Sequence, residues 1–312
     1  MDIVISFDEN YVMPAGVMLT SLFENNKVTN IHIHALLRRK GSFSQPIVDT
    51  VKKYGGKITC YDMSQFKLPS LPVNLKHQRA NISIETYFRL FLSDILSPDI
   101  DKVLWLDCDI VIADSLDELW NEDISDYPVG VIPDYENNNV RMTNRLGYNA
   151  IYGYFNAGVL LINLKYWREQ NIMDSFVEYI SSHFYELYYH DQDVLNHEFY
   201  SRKKELNLRY NFQTTFLFRN LNISCQYFDM LNQAYNNPAV IHFTEDKPWF
   251  SNSTNPMKSY YLCYLDKTIW KGKNKGRRKD SWKKRLYYFI LRVKHKNWSW
   301  AKSVYNPIYL NN

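Results

Sequence analysis

The chain has 312 residues and a mass of 37.3 kDa, and 46% of its residues are hydrophobic. This length and apolar content exclude a disordered chain and are sufficient for one large α/β domain or two small ones with a buried core. Residues 271–302 hold 13 Lys and Arg against one acid, so this segment carries +12, whereas the other 24 bases and 32 acids give the rest of the chain −8.

The first ten residues, MDIVISFDEN, contain no base and only a short apolar run, unlike a signal peptide. The longest apolar region, Asn156–Leu164, is far shorter than the roughly 20 residues of a membrane-spanning helix. The four cysteines are far apart and form no CxxC pair, so we expect reduced thiols and no zinc knuckle. These features predict a cytoplasmic protein that does not cross a membrane.

Segments with strand and helix periodicity alternate through the first 110 residues. The predicted strands are Ile3–Phe7, Ile31–Leu37, Lys57–Met63 and Val103–Asp107. The predicted helices are Met13–Phe23 and a periodic apolar segment from Tyr87 to Ile95. This alternation predicts an α/β fold with a doubly wound, largely parallel sheet. Ligands bind such sheets at the carboxyl ends of the strands, where we expect Asp8 and Asp107 to lie.

The run VLWLDCDIVI, residues 103–112, places two carboxylates in an apolar segment. If the run is one strand, Asp107 and Asp109 point to one side of it and Cys108 to the other. Two unpaired anions in apolar surroundings would be very costly, and carboxylate oxygens favour Mg²⁺ or Mn²⁺. The run therefore predicts a divalent-cation site; the alternative is a strand end whose acids pair with Arg or Lys.

The segment IHFTEDKPW, residues 241–249, looks like a strand that enters a turn. His242 offers a nitrogen ligand for the same cation, and Lys247 offers a positive charge for a phosphate oxygen. The alternative for His242 is a hydrogen-bonded core histidine.

Two further segments carry polar groups next to apolar runs. YHDQDVLN, residues 189–196, places Asp191, Gln192 and Asp193 at a helix start, where Asp191 either caps the helix or joins its neighbours in binding sugar hydroxyls. NAGVLLIN, residues 156–163, is predicted to be a core strand with a small-residue entrance that lets a ligand approach closely.

The basic segment near the carboxyl end predicts an amphipathic helix. Its apolar face contains Trp282, Leu286, Phe289, Ile290, Val293 and Trp300. Such a helix suits an anionic bilayer surface, where each Lys or Arg adds about 1 kcal/mol. We therefore divide the chain into a domain over 1–270 and a tail over 271–312 that attaches to a membrane surface. A solvated helix packed on the domain and a nucleic-acid arm are the alternatives, and the aromatic content favours the membrane over packing on the domain.

Taken in order, the motifs resemble those of the retaining glycosyltransferases of family eight, the group of bacterial lipooligosaccharide α-galactosyltransferases and glycogenin. The resemblance covers roughly residues 1–250. Its motifs are MDIVISFDENY, SIETYFRL, KVLWLDCDIVI, FNAGVLLINLKYWR, YHDQDVLN, RYNF and HFTEDKPW. It implies a GT-A fold with a Rossmann-like sheet, a UDP-hexose donor with galactose or glucose as the sugar, and Mn²⁺ as the cofactor, with Mg²⁺ as the alternative.

The resemblance also implies roles for individual residues. Asp107, Asp109 and His242 match the metal ligands, and Tyr11 is placed to stack on uracil. The positions that match contacts to the nucleotide and its diphosphate are Ser6, Phe7, Asp8, Asn10, Tyr11, Arg89, Asp107, Cys108 and Lys247. The positions that match contacts to the donor sugar are Asp134, Asn156, Ala157, Asp191 and Gln192.

Two of these roles have plain structural alternatives: Asp8 caps the first turn, and Arg89 pairs with an acid. The segment HFTEDKPW also departs from the family pattern, because it lacks a common glycine and is one residue shorter. The diphosphate loop is therefore expected to close differently, and Glu245 and Asp246 place negative charge near Lys247.

The expected catalytic residues are Arg89, Asp191 and Gln192, with the metal neutralising the UDP leaving group. Gln192 matches the position nearest the anomeric carbon and is a poor nucleophile. We therefore favour front-side attack, in which the leaving phosphate takes the acceptor proton. Double displacement with Asp191 or Asp193 as the nucleophile is the alternative.

The acceptor site is expected in residues 135–150 and 210–235. We expect the acceptor to be a surface glycan such as lipopolysaccharide, glycosylated on the cytoplasmic face of the membrane. One rival function is a sugar nucleotidyltransferase, which would carry a Gly-rich basic loop that FDENYVMPAG lacks. The other is a non-catalytic carbohydrate-binding protein, which leaves the paired aspartates, His242 and Lys247 unexplained.

Overall fold

The computed structural model describes residues 1–27, 29–66, 84–217 and 222–278, together with residues 282, 283, 286 and 290. The strands in these ranges are β1 (Asp2–Ser6), β2 (His32–Leu37), β3 (Lys57–Asp62), β4 (Lys102–Leu106), β5 (Ile110–Ile112), β6 (Val129–Pro133), β7 (Phe155–Asn163), β8 (Lys204–Glu205), β9 (Phe212–Gln213) and β10 (Val240–His242). The α-helices are α1 (Val12–Asn25), α2 (Gln45–Lys53), α3 (Leu92–Ile95), α4 (Asp117–Asn121), α5 (Val140–Arg145), α6 (Leu164–Glu169), α7 (Ile172–His183), α8 (Asp191–Phe199), α9 (Phe228–Asn236) and α10 (Lys258–Leu265). Among the 3-10 helices are Glu9–Tyr11 and Ile84–Phe91.

The larger sheet has the strand order β3-β2-β1-β4-β7-β6-β8. β2 and β4 flank β1 in parallel, β3 is parallel to β2, and β8 is parallel to β6. Only β7 runs antiparallel to its described neighbours, β4 and β6. Helices α1 and α2 supply the crossovers that parallel neighbours need. The predicted α/β class with a mostly parallel sheet is confirmed.

Apolar cores cover both faces of the larger sheet. Ile3 and Ile5 of β1 pack into one core with α1, α2 and the residues of the second sheet. Val4 faces the opposite core, which contains side chains of the 3-10 helix Ile84–Phe91 and of α6, α7 and α8. All three side chains are fully buried, because a strand covered on both faces buries every residue. Ligands can therefore reach this sheet at its strand ends.

The strand predicted over Val103–Asp107 is present as β4, but the whole run 103–112 does not form one strand. β4 ends before the paired aspartates, and β5 begins after them in a second sheet with the order β5-β10-β9. The amide of Asp107 still donates to the carbonyl of Gly158 in β7 at 2.9 Å, whereas the carbonyl of Asp109 accepts from the amide of Phe243 at 2.9 Å. The chain therefore changes sheets within the three residues of the motif.

Other predicted elements are present with shifted ends. The periodic segment from Tyr87 to Ile95 forms the end of a 3-10 helix, Ile84–Phe91, followed by the short helix α3. β3 ends one residue early because Asp62 accepts a hydrogen bond from the amide of Ser64 at 3.1 Å and caps a 3-10 turn. Asp8 and Asp107 follow the neighbouring strands β1 and β4, at the carboxyl ends where ligands were expected.

The first residues of the basic tail pack on the body. The amide of Lys275 donates to the carbonyl of Trp249 at 2.9 Å, and the amide of Arg278 donates to Asn252 Oδ1 at 2.8 Å. The predicted tail residues Phe289, Val293 and Trp300 lie outside the described residues. The domain boundary at residue 270 stays a prediction. In the described part of the chain, no helix combines the length and the hydropathy needed to cross a bilayer.

Candidate active site

Three side chains able to bind a metal meet where the two sheets join. Asp107 and Asp109 lie in the turn after β4, and His242 is the last residue of β10, in register with Ile110 of β5. Their ligand atoms all lie within 4.8 Å of one another, and Asp109 Oδ1 is 3.3 Å from His242 Nε2. The structure thus brings the three predicted ligands together, through the junction of two sheets and not through alternation along one strand.

A chain of buried amides orients His242. Its Nδ1 lies 2.9 Å from Asn211 Oδ1, and Asn211 Nδ2 donates to Asn156 Oδ1 at 2.9 Å. Asn156 Nδ2 in turn donates to Asp134 Oδ2 at 3.0 Å. Since an amide oxygen can only accept, this network requires a proton on Nδ1 and turns Nε2 toward Asp109.

Gly158 gives His242 the space for this orientation. A Cβ atom added at Gly158 would lie 2.2 Å from His242 Cε1 and 2.7 Å from Nδ1. The glycine interrupts the apolar strand β7 at the point where the ring packs against its backbone. The small-residue entrance predicted for this strand therefore makes room for a protein side chain.

Asp109 is bound by two cationic or potentially cationic groups. Lys247 Nζ donates to Asp109 Oδ2 and to the carbonyl of Phe243, the latter at 2.6 Å. Burial by itself would raise the pKa of Asp109, but Lys247 and His242 outweigh it and hold this pKa well below its usual range. Asp109 is therefore an anion throughout the physiological pH range.

Asp246, one of the two acids beside Lys247, has other partners. The Asp246 carboxylate is buried and accepts from the amide of Thr254 at 2.7 Å. Its other oxygen lies 3.6 Å from Arg278 Nη2. Because Asp246 is turned toward Thr254 and Arg278, its charge is offset by partners other than Lys247.

Arg89 connects the acids on the opposite side of the site. Its Nη2 donates to Asp107 Oδ1 at 2.9 Å, and its Nε lies 2.8 Å from Asp191 Oδ2. Its Nη1 donates to the carbonyl of Ala157, and its guanidinium carbon lies 4.4 Å above the ring of Trp105. The side chain is buried, so Arg89 pairs with two acids, as its structural alternative proposed, while lying directly beside the cation cluster.

Asp191 is the first residue of α8 and is buried. Burial raises its pKa to about 7, with Arg89 acting against this rise and Asp107 adding to it. Its neighbour Gln192 accepts a hydrogen bond from the amide of Ala157 at 2.9 Å. The start of α8 is therefore fixed to β7 next to Arg89, with one titratable and one neutral side chain.

Asp193 serves a different purpose from Asp191. Its carboxylate, fully buried, accepts two bonds from Arg145 at 2.9 and 3.1 Å and one from the hydroxyl of Tyr154 at 2.8 Å. The amides of Tyr188 and Tyr189 also donate to it, at 2.5 and 2.8 Å. All its acceptor positions are used, so the alternative in which Asp193 acts as a nucleophile is not supported by this geometry.

Asp8 and Tyr11, two of the residues assigned to the nucleotide, come after β1 and have different surroundings. Asp8 Oδ1 accepts from the amide of Tyr11 at 3.0 Å and Oδ2 from Asn10 Nδ2 at 3.1 Å, so Asp8 caps the first turn. The Tyr11 ring meets Trp249 edge to face with centroids 5.6 Å apart, and Lys275 Nζ lies 5.9 Å from the Tyr11 ring centroid. An aromatic surface with a nearby cation therefore lies beside the cluster.

The side chains of Ser6, Phe7 and Cys108 face protein. Ser6 Oγ donates to the carbonyl of Leu36 at 3.0 Å, and Cys108 Sγ donates to the carbonyl of Ser6 at 3.3 Å. Phe7 is buried in the core against Phe43. Burial raises the pKa of the Cys108 thiol well above its usual value. In this structure these three residues shape the site through their backbone and packing.

The sequence prediction missed four side chains that complete the site. Asn211 is in the quoted motif RYNF, but its role depends on a contact with His242 that sequence spacing does not reveal. Trp105 Nε1 donates to Asp107 Oδ1 at 2.8 Å and was assigned only to the strand. Arg145 and Lys275 come from the loop and tail regions, where no motif marks them.

The chain is similar to known proteins in sequence and in structure. The chain matches the model of glycosyl transferase family 8 over residues 2–253. It is 29% identical over 281 residues to general stress protein A of Bacillus subtilis, covering 86% of this chain and 94% of that protein. It is 27% identical to a lipopolysaccharide 1,2-glucosyltransferase of Escherichia coli K12, covering 87% of this chain and 79% of that protein.

Among solved structures, it resembles galactosyltransferase LgtC in complex with donor and acceptor sugar analogs. The TM-score is 0.72 at 29% identity, and the match covers 92% of this chain and all of that chain. The expected GT-A fold is thereby confirmed. The chain belongs to glycosyl transferase family 8 and is a glycosyltransferase.

Proposed function

We propose that the protein is a retaining hexosyltransferase that moves galactose or glucose from a UDP-sugar to a surface glycan with the help of Mn²⁺. The observation that carries the proposal is the convergence of Asp107, Asp109 and His242, flanked by the cations Lys247 and Arg89. A cluster of this kind has the composition needed to hold a cation and a diphosphate together.

The residues fit a divalent cation. Two carboxylate oxygens and one imidazole nitrogen are ligands that Mn²⁺ accepts, and the proton on His242 Nδ1 leaves Nε2 ready to bind. Asp107, Asp109 and His242 would hold the ion, which when bound would neutralise charge on the diphosphate leaving group. Mg²⁺ is the alternative ion, because it prefers oxygen ligands and two of the three side chains are carboxylates.

The protein side chains divide the remaining work. Lys247 and Arg89 place fixed positive charge on both sides of the cluster, where the diphosphate would lie and where charge develops as the glycosidic bond breaks. Gln192 and Asp191 lie at the start of α8, on the side where the donor sugar is expected. Asp134 and Asn156 form a hydrogen-bonded pair next to them and are suited to bind sugar hydroxyls.

We favour front-side attack for the transfer step. Gln192 carries no charge, and the Asp191 carboxyl, with its pKa raised by burial to about 7, is held in an ion pair by Arg89. A carboxylate fixed in this way is a weak nucleophile. The proton of the acceptor hydroxyl then passes to the leaving phosphate.

The expected acceptor regions contact each other. The amide of Asn138 donates to the carbonyl of Asn222 at 2.6 Å, and the amide of Asn222 donates to the carbonyl of Tyr135 at 3.0 Å. The backbone at the start of 135–150 therefore lies beside residue 222 of the second region. One relative of the chain is a lipopolysaccharide glucosyltransferase, which supports a lipid-linked or surface glycan as the acceptor.

The tail supports attachment to the inner face of the cytoplasmic membrane. Trp282, Leu286 and Ile290 are helical, fall on one helix face at spacings of four, and are 69, 50 and 44% exposed. The sequence 271–302 around these residues is rich in Lys and Arg, as an anionic bilayer surface requires. A variant with Ser at all three positions should sediment with phosphatidylglycerol vesicles at least tenfold less than the wild type, and undiminished sedimentation would exclude this role.

The test of the main proposal is hydrolysis of a panel of UDP-hexoses in Mn²⁺ or in EDTA. We expect slow release of one hexose that requires metal and is lost in Asp109→Asn. Proton NMR of the fresh product should show the anomer of the donor. The matched control is Asp49→Asn, an exposed carboxylate of α2. If no donor is hydrolysed and UDP binding does not depend on Mn²⁺, the proposal is wrong.

A further inference from the structure

A second group of metal-binding side chains lies at the opposite end of the larger sheet. Asp2 and His32 are the first residues of β1 and β2 and are paired in register. His34 is two residues further along β2, so its side chain lies on the same face of the sheet. The amino ends of parallel strands are remote from the carboxyl ends that carry the glycosyltransferase site.

The ligand atoms of this group are already close together. Asp2 Oδ1 is 2.9 Å from His34 Nε2 and 3.4 Å from His32 Nδ1, and all three ligand atoms lie within 4.8 Å of one another. Ligands that share a tetrahedral zinc ion at about 2.0–2.1 Å lie about 3.3 Å apart. The group therefore needs only small side-chain shifts to surround an ion.

The other nitrogen of each imidazole has its own partner on β3. His32 Nε2 lies 2.8 Å from Thr59 Oγ1, and His34 Nδ1 lies 3.0 Å from the hydroxyl of Tyr61. In metal sites, a hydrogen bond of this kind fixes the ring and its tautomer so that the opposite nitrogen faces the ion. Both rings are thus held with one nitrogen toward Asp2.

The surroundings allow an ion to enter. The group lines an open cavity of about 430 Å³, whose wall also contains two acids, Asp99 and Asp101, and two bases, Lys57 and Lys102. Burial lowers the pKa of both imidazoles, that of His32 to about 4, so neither ring carries a proton on both nitrogens at neutral pH. Neutral imidazole is the form that binds metals.

We propose that Asp2, His32 and His34 form a binding site for a divalent transition metal of the zinc class, with solvent in the remaining position. Two nitrogens and one oxygen favour Zn²⁺, Ni²⁺ or Cu²⁺ over the oxygen-seeking Mg²⁺ and Mn²⁺. The ion would tie β1 to β2 directly and to β3 through Thr59 and Tyr61. This inference is independent of the proposed function.

The test is a Zn²⁺ titration of the full chain by calorimetry, in the Asp109→Asn background so that the other cluster contributes little. We expect one site in this background and at least a tenfold loss of affinity when His32→Gln or Asp2→Asn is added. The matched control is His183→Gln, which removes an imidazole of α7 that bonds the carbonyl of Tyr179 in the same helix and should leave the site unchanged.

A second measurement separates loss of the site from loss of the fold. Zn²⁺ should raise the melting temperature of the background protein and of the His183→Gln control but not that of the His32→Gln variant, while circular dichroism of all three stays the same. Equal zinc affinity in the presence and absence of His32, or no zinc binding to the background protein, would overturn the proposal.

Discussion

At the scale of single residues, the proposed metal ligand His242 depends on side chains that are not themselves metal ligands. His242 can present Nε2 to an ion only while Asn211 accepts the proton on Nδ1. Asn211 is itself held by Asn156, which also accepts from the amide of Gly158 at 2.9 Å. One imidazole is therefore positioned by an amide network that extends to Asp134.

Replacing Asn211 by Ala should weaken the metal site without removing a ligand. The Nδ1 proton of His242 loses its acceptor, and loss of such a partner commonly lowers metal affinity about 10–100-fold. We expect a matching rise in the Mn²⁺ concentration that half-saturates UDP-hexose hydrolysis. Asn236→Ala, on the exposed side of α9, is the control, and an unchanged Mn²⁺ requirement in Asn211→Ala would contradict the network.

Asp134 predicts a specific pH dependence of stability. Burial raises its pKa to about 6, so between about pH 4 and pH 6 the folded protein holds a proton that the unfolded chain releases. Stability from this group is therefore lost as pH rises through the folded pKa. We compare the free energy of unfolding of Asp134→Asn with that of the wild type. The difference, variant minus wild type, should rise by about 2 kcal/mol from about pH 4 to pH 8, because only the wild type loses this stability. Urea denaturation at both pH values measures it, and a constant difference would contradict it.

At the scale of elements, the start of α8 is fixed from two directions. Gln192 accepts from the backbone of β7, and Asp193 pairs with Arg145 of α5. Adjacent residues of one helical turn thus bind different elements, which sets the orientation of Asp191 between them. In the sequence DQD, Asp191 pairs with Arg89 in the site, Gln192 bonds β7, and Asp193 bonds α5.

Asp193→Asn should destabilise the fold more than Asp191→Asn. Asp193 is fully buried and bidentate to Arg145, and removing one partner of such a pair costs about 3 kcal/mol. Asp191 instead has a raised pKa, because burial disfavours its charge, so its replacement should lower activity and preserve stability. Urea denaturation beside the exposed control Asp126→Asn measures the difference, and equal stability of the two variants would refute this assignment.

Patterns local to the chain predicted most elements but missed the change of sheet. The β-α-β opening follows from strand and helix periodicity, and the apolar runs on both sides of the aspartates are strands, as expected. However, the apolar pattern of IVI is the same whether these residues continue β4 or begin a strand of another sheet. Periodicity shows that a segment is a strand but not which strand it pairs with. Only pairing with β10 and β9, more than 100 residues later, decides this.

The site itself was predictable as far as charged motifs mark it. Asp107, Asp109, His242 and Lys247 were expected together and lie together. Their roles in catalysis remain predictions. The neutral amide Asn211 was missed because hydrogen bonds between buried amides depend on the packing of three elements, for which a single sequence has no signature.

At the scale of the whole molecule, the larger sheet and the small sheet meet at the three residues that carry the paired aspartates. A ligand bound by Asp107 and His242 would therefore connect the two sheets as well as serve chemistry. A ligand that binds at this junction should raise the free energy of unfolding of the chain, because any ligand that binds only the folded state stabilises it.

We expect UDP with Mn²⁺ to raise the melting temperature, with a stabilisation of about 2.7 kcal/mol when both are present at 100 times the dissociation constant. Asp109→Asn should abolish this rise, and the control Asp49→Asn should retain it. Differential scanning calorimetry measures the effect, and a shift of equal size in Asp109→Asn would show that UDP binds elsewhere.

The contact of Arg278 with the loop after β10 ties the start of the basic tail to the body. Arg278 bonds Asn252 and approaches Asp246, next to Lys247, and Trp282 is the first exposed apolar residue described after it. Four residues of fully extended chain reach at most about 14 Å. If the tail binds a bilayer, as we propose, this short connection keeps the body beside the bilayer, and we expect acceptor sugars near the lipid and not those at the far end of a long glycan.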